Sequence, residues 1–418
     1  MTYIADLIKE HCPNGVEWRE LGEVCNVVTD FTAAGSFASN AKNVKYLKEP
    51  DFAQLIRTTD LKSKFQGNKF IYVDEHAFNY LHRVNLNEES LILPNVGNCG
   101  EIYYLQPSDL PSDNNVLGPN ALLIRSNMAN NRYLYHLFLD SKFQSDLEKI
   151  TSKTGQTKFN KTNLKKILIP IPPLKIQEEI VQILDKFTEY VTELTAELTA
   201  ELTLRQKQYN YFRDYLLNFD SDSSGGANNK VYQVEWKTLG DIAKLKNGKD
   251  WKSLSVGDVP VYGSGGAMGE FVSEYAYNKP TVLIPRKGSI SNLFYLEKPF
   301  WNVDTIYYTE IDDSQVVPRY LYYYLTTIDL ESMATNPTRP SLTQAILDKI
   351  PIPVPSLPIQ QRIVQVLDNF DAVCNDLNIG LPKEIELRQK QYEYFREKLL
   401  TFTAEGVYTD STVQTRPD

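Results

Sequence analysis

Residues 204–217, LRQKQYNYFRDYLL, return at 387–400 as LRQKQYEYFREKLL, with 11 of the 14 positions unchanged. A chain that writes one segment twice is built on one plan used twice, and the likeness extends well beyond these ends. GVEWRELGEV (15–24) recurs as QVEWKTLGDI (233–242), LILPNVGNCG (91–100) as VLIPRKGSIS (282–291), and RYLYHLF (132–138) as RYLYYYL (319–325). ILIPIPPLKIQEEIVQILDKF (167–187) aligns without a gap with IPIPVPSLPIQQRIVQVLDNF (350–370). The offsets are 218, 191, 187 and 183, and the last holds from residue 164 through 217. Spacing varies early in each copy and freezes late. Each copy therefore reads as a variable domain followed by a constant one, with 27 of the first copy's extra residues between Gly22 and Leu91. Repeats of this length exceed the roughly 20–50 residues of a solenoid unit. Duplicated whole domains fit better, and such a chain can imitate a symmetric dimer.

The constant parts predict long helices. Ile180, Ile183, Leu184, Phe187, Val191, Leu194, Leu198, Leu202, Tyr209, Phe212 and Leu216 follow one another at helical spacing, and neither Pro nor Gly interrupts 174–219. A helix of about 44 residues, roughly 65 Å long, is expected. The second copy repeats the stripe, but Gly380-Leu381-Pro382 should break the helix and restart it. Before each helix, prolines alternate with Ile or Val, which forbids helix and stiffens an extended lead-in. Taken singly this is a rigid joint or an ordinary connector; its double occurrence favours the joint.

Within the first helix the quartet TAEL repeats at Thr195, Ala196, Glu197, Leu198 and Thr199, Ala200, Glu201, Leu202, stacking Glu189, Glu193, Glu197 and Glu201 at i,i+4. Such a row is a solvated face or a ruler. One inserted quartet lengthens a helix by about 6 Å and turns it by about 40°. One base pair advances duplex DNA by about 3.4 Å and turns it by roughly 35°. The near-equal rotations suggest that quartet number phases two DNA-reading modules.

Composition leaves room for that reading. The net charge of −9 argues against a nucleic-acid binder, but the acidity is concentrated: residues 176–220 carry −5 and 359–418 carry −3, whereas 1–175 carry +1 and 221–358 carry −2. Local basic patches remain available on both variable segments. With 42% hydrophobic and 23% charged residues and no run of eighteen apolar residues, the 418-residue chain reads as two to four globular domains, without a membrane span. The start, MTYIADLIKEHCPNG, lacks a signal-peptide core, and Cys12, Cys25, Cys99 and Cys374 form no CxxC, so a cytoplasmic location is expected.

Catalytic motifs are missing where they would be sought. VYGSGGAMGEF (261–271) lacks the Lys-Ser/Thr of a P-loop and reads as a mobile or close-approach loop. Asn336-Pro337-Thr338 does not match an amino-methyltransferase motif, and His11, His76, His82 and His136 have no metal-ligand spacing. A binding role leads. Strand-end turns offer Asn95, Asn98, Arg286 and Lys287, and further DNA-binding candidates are Arg57, Lys153, Lys158, Lys161 and Arg339. Arg and Lys suit guanine edges or phosphates, and Asn suits adenine. On the repeated ends, Tyr209 and Phe212 continue the apolar stripe. Arg205, Gln208, Tyr211 and Arg213, with Arg388, Gln391, Tyr394 and Arg396, face elsewhere and are candidates for docking two copies of one partner.

These features together resemble the DNA-specificity subunit of type I restriction-modification enzymes, in particular the subgroup with central TAEL repeats. The resemblance rests on the paired IPIP…IQ..IV..LD.F stretches, the quartets and the LRQKQYxYFRxxLL ends. It implies two target-recognition domains, each reading one half of a bipartite double-stranded DNA site, with helices fixing the spacer. It implies two modification (methyltransferase) subunits, which carry S-adenosylmethionine and methylate adenine N6. Two restriction (motor and nuclease) subunits using ATP and Mg would join them. No cofactor or metal is expected in this chain, and no membrane. The expected fold class is α+β: two globular mixed α/β recognition domains separated by two long antiparallel coiled-coil-like helical regions, in a pseudo-two-fold duplication. The expected boundaries are 1–166 for the first recognition domain, 167–220 for the central helical region, 221–349 for linker and second recognition domain, 350–403 for the distal helical region and 404–418 for a tail. A single-chain methyltransferase with a cryptic cofactor site and a two-fold protein scaffold stay open as alternatives.

Overall fold

A computed structural model describes the chain except for residues 1, 153–154, 220–233, 336–339, 376–379 and 403–418. The chain divides into two compact units, one holding residues up to Leu194 and those from Leu387 on, the other Thr195–Glu386.

In the first unit the strands are β1 (Glu17–Glu20), β2 (Val27–Asp30), β3 (Ala53–Ile56), β4 (Ile71–Val73), β5 (Ser90–Pro94), β6 (Tyr103–Leu105), β7 (Asn115–Leu117), β8 (Ala121–Arg125) and β9 (Leu168–Ile171). They form an antiparallel sheet β2-β8-β5-β6, a sheet β4-β3-β7 in which β3 and β7 run parallel, and the ribbon β1-β9. In the second unit the strands are β10 (Glu235–Thr238), β11 (Ala243–Asn247), β12 (Val256–Gly263), β13 (Gly266–Val272), β14 (Thr281–Pro285), β15 (Phe294–Leu296), β16 (Trp301–Asn302), β17 (Ile306–Ile311) and β18 (Pro351–Val354). Their sheets, β11-β17-β14-β15, β13-β12-β16 with β12 parallel to β16, and β10-β18, repeat the first set in order and sense. The central strands β5 and β14 are buried at every position, as apolar LILP and VLIP runs require.

The residues inserted in the first copy form short helices between β2 and β5, including Phe37–Asn43, Thr58–Lys62 and Glu75–Tyr80. The corresponding stretch of the second copy is the β12–β13 hairpin. This corrects the expectation of a mobile loop at 261–271: Ser264 and Gly265 are the two-residue turn of that hairpin, the connection that paired strand twist favours. The close approach is real, because a side chain at Gly288 would come within 3.1 Å of Ser264 Oγ.

The proline-rich lead-ins are the ribbon strands β9 and β18, in which Pro170 lies opposite Trp18 and Pro353 opposite Trp236. Two-stranded ribbons tolerate proline because no second neighbour needs its missing N–H. Each ribbon is fastened to its helix by the same set of bonds. Tyr133 and Tyr320 donate their hydroxyls to the carbonyls of Pro170 and Pro353, both at 2.9 Å. Gln177 accepts from Asn130 N at 2.9 Å and donates to Pro172 O at 2.7 Å, while its counterpart Gln360 accepts from Val317 N and donates to Pro355 O, both at 2.8 Å. Arg132 and Arg319 bind Asp185 and Asp368 through Nε at 2.9 and 2.7 Å.

The first constant helix runs unbroken over Leu174–Leu217, 44 residues. Its Ile176, Ile180 and Leu184 belong to the core of the first unit, and Leu217 and Phe219 to that of the second. Thr199 and Thr203 turn their hydroxyls back to the carbonyls of Thr195 and Thr199, so the quartets satisfy their own polar groups. In the second copy the described helices are Leu357–Asn375 and Leu381–Leu400, the latter starting directly after Gly380, and the expected break falls largely on residues 376–379, outside the described residues. Leu399, Leu400 and Phe402, the counterparts of Leu216, Leu217 and Phe219, are buried in the core of the first unit. Each repeated end thus completes the domain of the other repeat.

Candidate nucleic-acid and subunit interfaces

Both four-stranded sheets bring distant candidates together at one end. In the first unit β5 stops at Pro94, and Asn95 follows with its N–H on Asn120 O and its carbonyl taking the N–H of Phe159, both at 3.1 Å. Gly97, held at φ +86° where glycine is favoured, donates to Thr157 O at 2.8 Å, and Val96 bridges to Lys158. The turn after β5 therefore pairs with the lysine-rich segment, although 60 residues of chain separate them. Lys161 reaches Asp30, the last residue of β2, at 3.4 Å. Asn98 is exposed and donates to Glu101 at 3.1 Å. Lys153 lies outside the described residues.

The second unit repeats the arrangement with different tips. Arg286 follows β14, donates its N–H to Thr305 O and accepts from Leu342 N, both at 2.9 Å, and Lys287 bridges to Ser341. The Arg286 guanidinium donates to Asn247 Oδ1 at 2.9 Å and covers the Tyr307 ring at 5.2 Å. Lys287 lies 3.8 Å from Asp304. Arg339 is outside the described residues. The Lys287–Asp304 pair is exposed, 53% and 70%, and worth little to stability, whereas Lys161–Asp30 is less exposed, 39% and 18%.

Arg57 is placed elsewhere. It stands at the end of β3, its guanidinium bound to buried Asp60 at 2.6 Å and to Lys69 O at 2.6 Å. The Asp60 bond raises the Arg57 pKa, and Asp60 caps the Thr58–Lys62 helix by accepting the Arg57 backbone N–H at 2.9 Å. This is a structural role that the spacing Arg-Thr-Thr-Asp already signals.

On the repeated ends, the stripe and the surface separate as the spacing predicts in part. Tyr209 packs against the core of its unit, where burial and then Asp371 push its phenol up to about 12, and Tyr392 is buried. Phe212 stacks on Phe370 but stays 37% exposed. Tyr211 and Tyr394 are 63% and 51% exposed. Arg205 binds Glu201 at 2.8 Å and Gln208 at 2.9 Å, and Arg388 binds Gln391 at 3.2 Å. Arg213 pairs with Asp214 at 2.8 Å, and Arg396 covers Tyr392 at 5.5 Å. Two exposed tyrosines framed by braced arginines form the matching surface of the two copies.

Among the described residues no His, Cys, Asp and Glu group is arranged to hold a metal, and no helix is long and apolar enough to cross a membrane. Cys25 is buried, and desolvation pushes its thiol up to about 12, far from a reactive thiolate.

Comparison with known proteins agrees with this duplicated plan. Residues 13–204 and 233–387 each match the model of the type I restriction modification DNA specificity domain. A putative type I restriction enzyme specificity subunit of Haemophilus influenzae is 37% identical over 293 residues, covering 66% of this chain and 73% of that protein. The EcoR124I/EcoR124II specificity subunit of Escherichia coli is 37% identical over 57% of this chain and 63% of its own length. A chain from a solved type I restriction-modification assembly shares the fold with a TM-score of 0.62 at 18% identity, over 93% of this chain and 98% of its own. The HsdS subunit of Thermoanaerobacter tengcongensis does so with a TM-score of 0.51 at 17% identity, over 93% and 96%. With two matches to one family model, one on each of two domains of the same topology, the chain belongs to the type I restriction-modification DNA specificity family.

Proposed function

We propose that this chain is the non-catalytic subunit that gives a type I restriction-modification complex its DNA specificity. The first domain reads one half of a bipartite duplex site and the second reads the other, while the constant helices set the spacer. Tyr211 and Tyr394, with their flanking arginines and glutamines, seat two modification subunits, which bring S-adenosylmethionine and methylate adenine N6. Two restriction subunits bring ATP and Mg for cleavage, and the assembly works in the cytoplasm.

The observation that carries this reading is that one frame presents two different tips. Strand order, sense and turn pairing are the same at the ends of the two sheets, yet Asn95 stands where the second copy has Arg286. Asparagine suits adenine and arginine suits guanine or phosphate, so a shared frame with exchanged tips is what reading two unlike half-sites requires. The test is to assemble the chain with its modification subunits and sequence the methylated adenines. One bipartite motif is expected, and replacing residues 231–349 by another recognition domain should change only one half of it. Methylation without a motif, or a change in both halves, would overturn the reading.

A further inference from the structure

The first unit carries an exposed aromatic and cationic surface apart from the sheet-end candidates. Residues 31–48, FTAAGSFASNAKNVKYLK, hold Lys42, Lys45 and Lys48 and no Asp or Glu, in a chain of net charge −9. All three lysines are exposed, and none has an ion-pair partner among the described residues. Phe37 and Tyr46 stand among them with 92% and 53% of their surface exposed. A single exposed apolar side chain is ordinary, but two aromatic rings interleaved with three unpaired cations match a polyanion that also has flat apolar faces.

The carrier of Phe37 is braced. The helix Phe37–Asn43 is capped by Ser36, whose hydroxyl accepts the Ser39 N–H at 3.2 Å. Ser39 and Asn40 share the Tyr80 hydroxyl at 2.8 and 3.1 Å, and His76 Nε2 lies 3.2 Å from Asn43 Oδ1. These anchors lie on one side of the helix and leave Phe37, Ala38, Ala41 and Lys42 exposed on the other. Phe37 and Tyr46 border a hollow of about 490 Å³ that Asn95 and Asn120 of the sheet end also line.

We infer that residues 37–48 are a further contact to duplex DNA at the first half-site: Lys42, Lys45 and Lys48 bind phosphates, and Phe37 enters the base stack as an apolar wedge. This contact rests on the DNA-reading role proposed above. A protein partner fits less well, because the modification subunits are proposed to dock on surfaces that both copies repeat, whereas this surface occurs once. The counterpart hairpin, 256–272, also exposes Val256 and Phe271, but it carries Asp258 and Glu270 and neither Lys nor Arg. An element present in one copy suits the ligand whose two halves differ.

The full chain, assembled with its modification subunits, is titrated with a duplex bearing its methylated motif at several salt concentrations. Phe37→Ala is expected to weaken binding about 10-fold with the salt slope unchanged, and Phe37→Leu, which keeps an apolar wedge, to recover most of that loss. The triple change Lys42→Gln/Lys45→Gln/Lys48→Gln should flatten the slope of log K against log salt by about 2–3, from about 0.9 per phosphate contact. The Phe37→Ala loss should vanish on duplexes altered in the first half and persist on those altered in the second. Because these side chains are exposed, every variant should unfold at the wild-type temperature. Unchanged affinity in Phe37→Ala, an unchanged slope in the triple variant, or an equal loss of affinity for the modification subunits without DNA overturns the proposal. If the wild-type complex then still methylates one bipartite motif, this contact alone is refuted; methylation without a motif refutes the DNA-reading role itself.

Discussion

Phe187 packs on Phe395 with ring centroids 5.2 Å apart, and their counterparts across the repeat, Phe370 and Phe212, do so at 5.4 Å. Thr188 shares a 3.0 Å hydrogen bond with Tyr392, while Asp371, aligned with Thr188, acts on Tyr209, aligned with Tyr392. In both units the pairing runs antiparallel. The contact has the self-complementary form of a two-fold dimer interface, written within one chain. Because these rings are only partly buried, Phe395→Ala should cost about 1–2 kcal/mol, below the ~3–5 kcal/mol of a fully buried phenylalanine. Denaturant unfolding of both single variants and of Phe187→Ala/Phe395→Ala should give a double change smaller than the sum, and strict additivity would refute the pairing.

The fastening of the first helix carries a pH dependence that the second does not share. His136 is fully buried, with Nε2 2.7 Å from Asp185 Oδ1 and no partner at Nδ1. Burial holds its pKa below the ordinary 6.5, against the pull of Asp185 and with Arg132 and Arg396 also opposing protonation. Burial would raise Asp185, but the bonds from His136 and Arg132 outweigh it and leave the carboxyl below 3.8. The unfolded chain therefore binds more protons than the folded one, first below 6.5 through His136 and then below 3.8 through Asp185, so stability is lost as pH falls through each window. The aligned position in the second copy is Tyr323, which donates to Asp368. His136→Tyr should flatten the upper window while leaving the lower one, as thermal unfolding from pH 7 to 2 would show; an unchanged slope above pH 5 would reject the assignment.

Gln177 and Gln360 are 1% and 0% exposed, and each ties a domain backbone to a helix lead-in. Gln177→Leu keeps the bulk but leaves Asn130 N–H and Pro172 C=O without that partner. A loss of about 2–6 kcal/mol is expected, from about 1–3 kcal/mol for each of the two orphaned groups. Hydrogen exchange should place the loss in the first unit, and protection lost equally in both units would contradict this.

Much of this architecture is legible in the sequence because it is local. A stretch free of Pro and Gly with a continuous apolar stripe gives the Leu174–Leu217 helix almost to the residue, and the Ile-Pro alternation gives extended chain. Pairing partners are another matter. Nothing near Leu168 says that it will lie opposite Glu20, and nothing in LLTF says that it will fill the core of the first unit instead of the second. The stripe on a helix specifies that a face is buried, not which neighbour buries it. The meeting of the Asn95–Gly97 turn with Thr157–Phe159 depends likewise on long-range closure. Two local signals were present and more informative than composition: Asp60 at the third helical position after Arg57, and a two-residue Ser-Gly turn between extended runs at 256–272.

The unbroken quartets make the spacer testable. Deleting Thr195–Leu198 removes about 6 Å and about 40° from the helix without touching either core, and the methylated motif should lose about one base pair between its halves. An unchanged motif, read by sequencing methylated adenines, would count against the helix as ruler.

Arg286→Ala should relax the second half-site and leave the first intact. A bidentate arginine is worth about 1–3 kcal/mol of base discrimination, roughly a 5- to 150-fold loss of preference at one position. Competition binding against duplexes altered in each half would show it, and a uniform loss on both halves would assign Arg286 to backbone contact instead.

The burial of Leu399, Leu400 and Phe402 beside Ile4, Leu7 and Ile8 has a consequence for biosynthesis. The first unit cannot close its hydrophobic interior until residues 399–402 have been translated, whereas the second receives Leu217 and Phe219 before its own strands are made. The later-born domain can mature during elongation. The earlier one must wait for those residues, so a transcript truncated before the codon for Leu399 leaves the first unit, and not the second, short of its core.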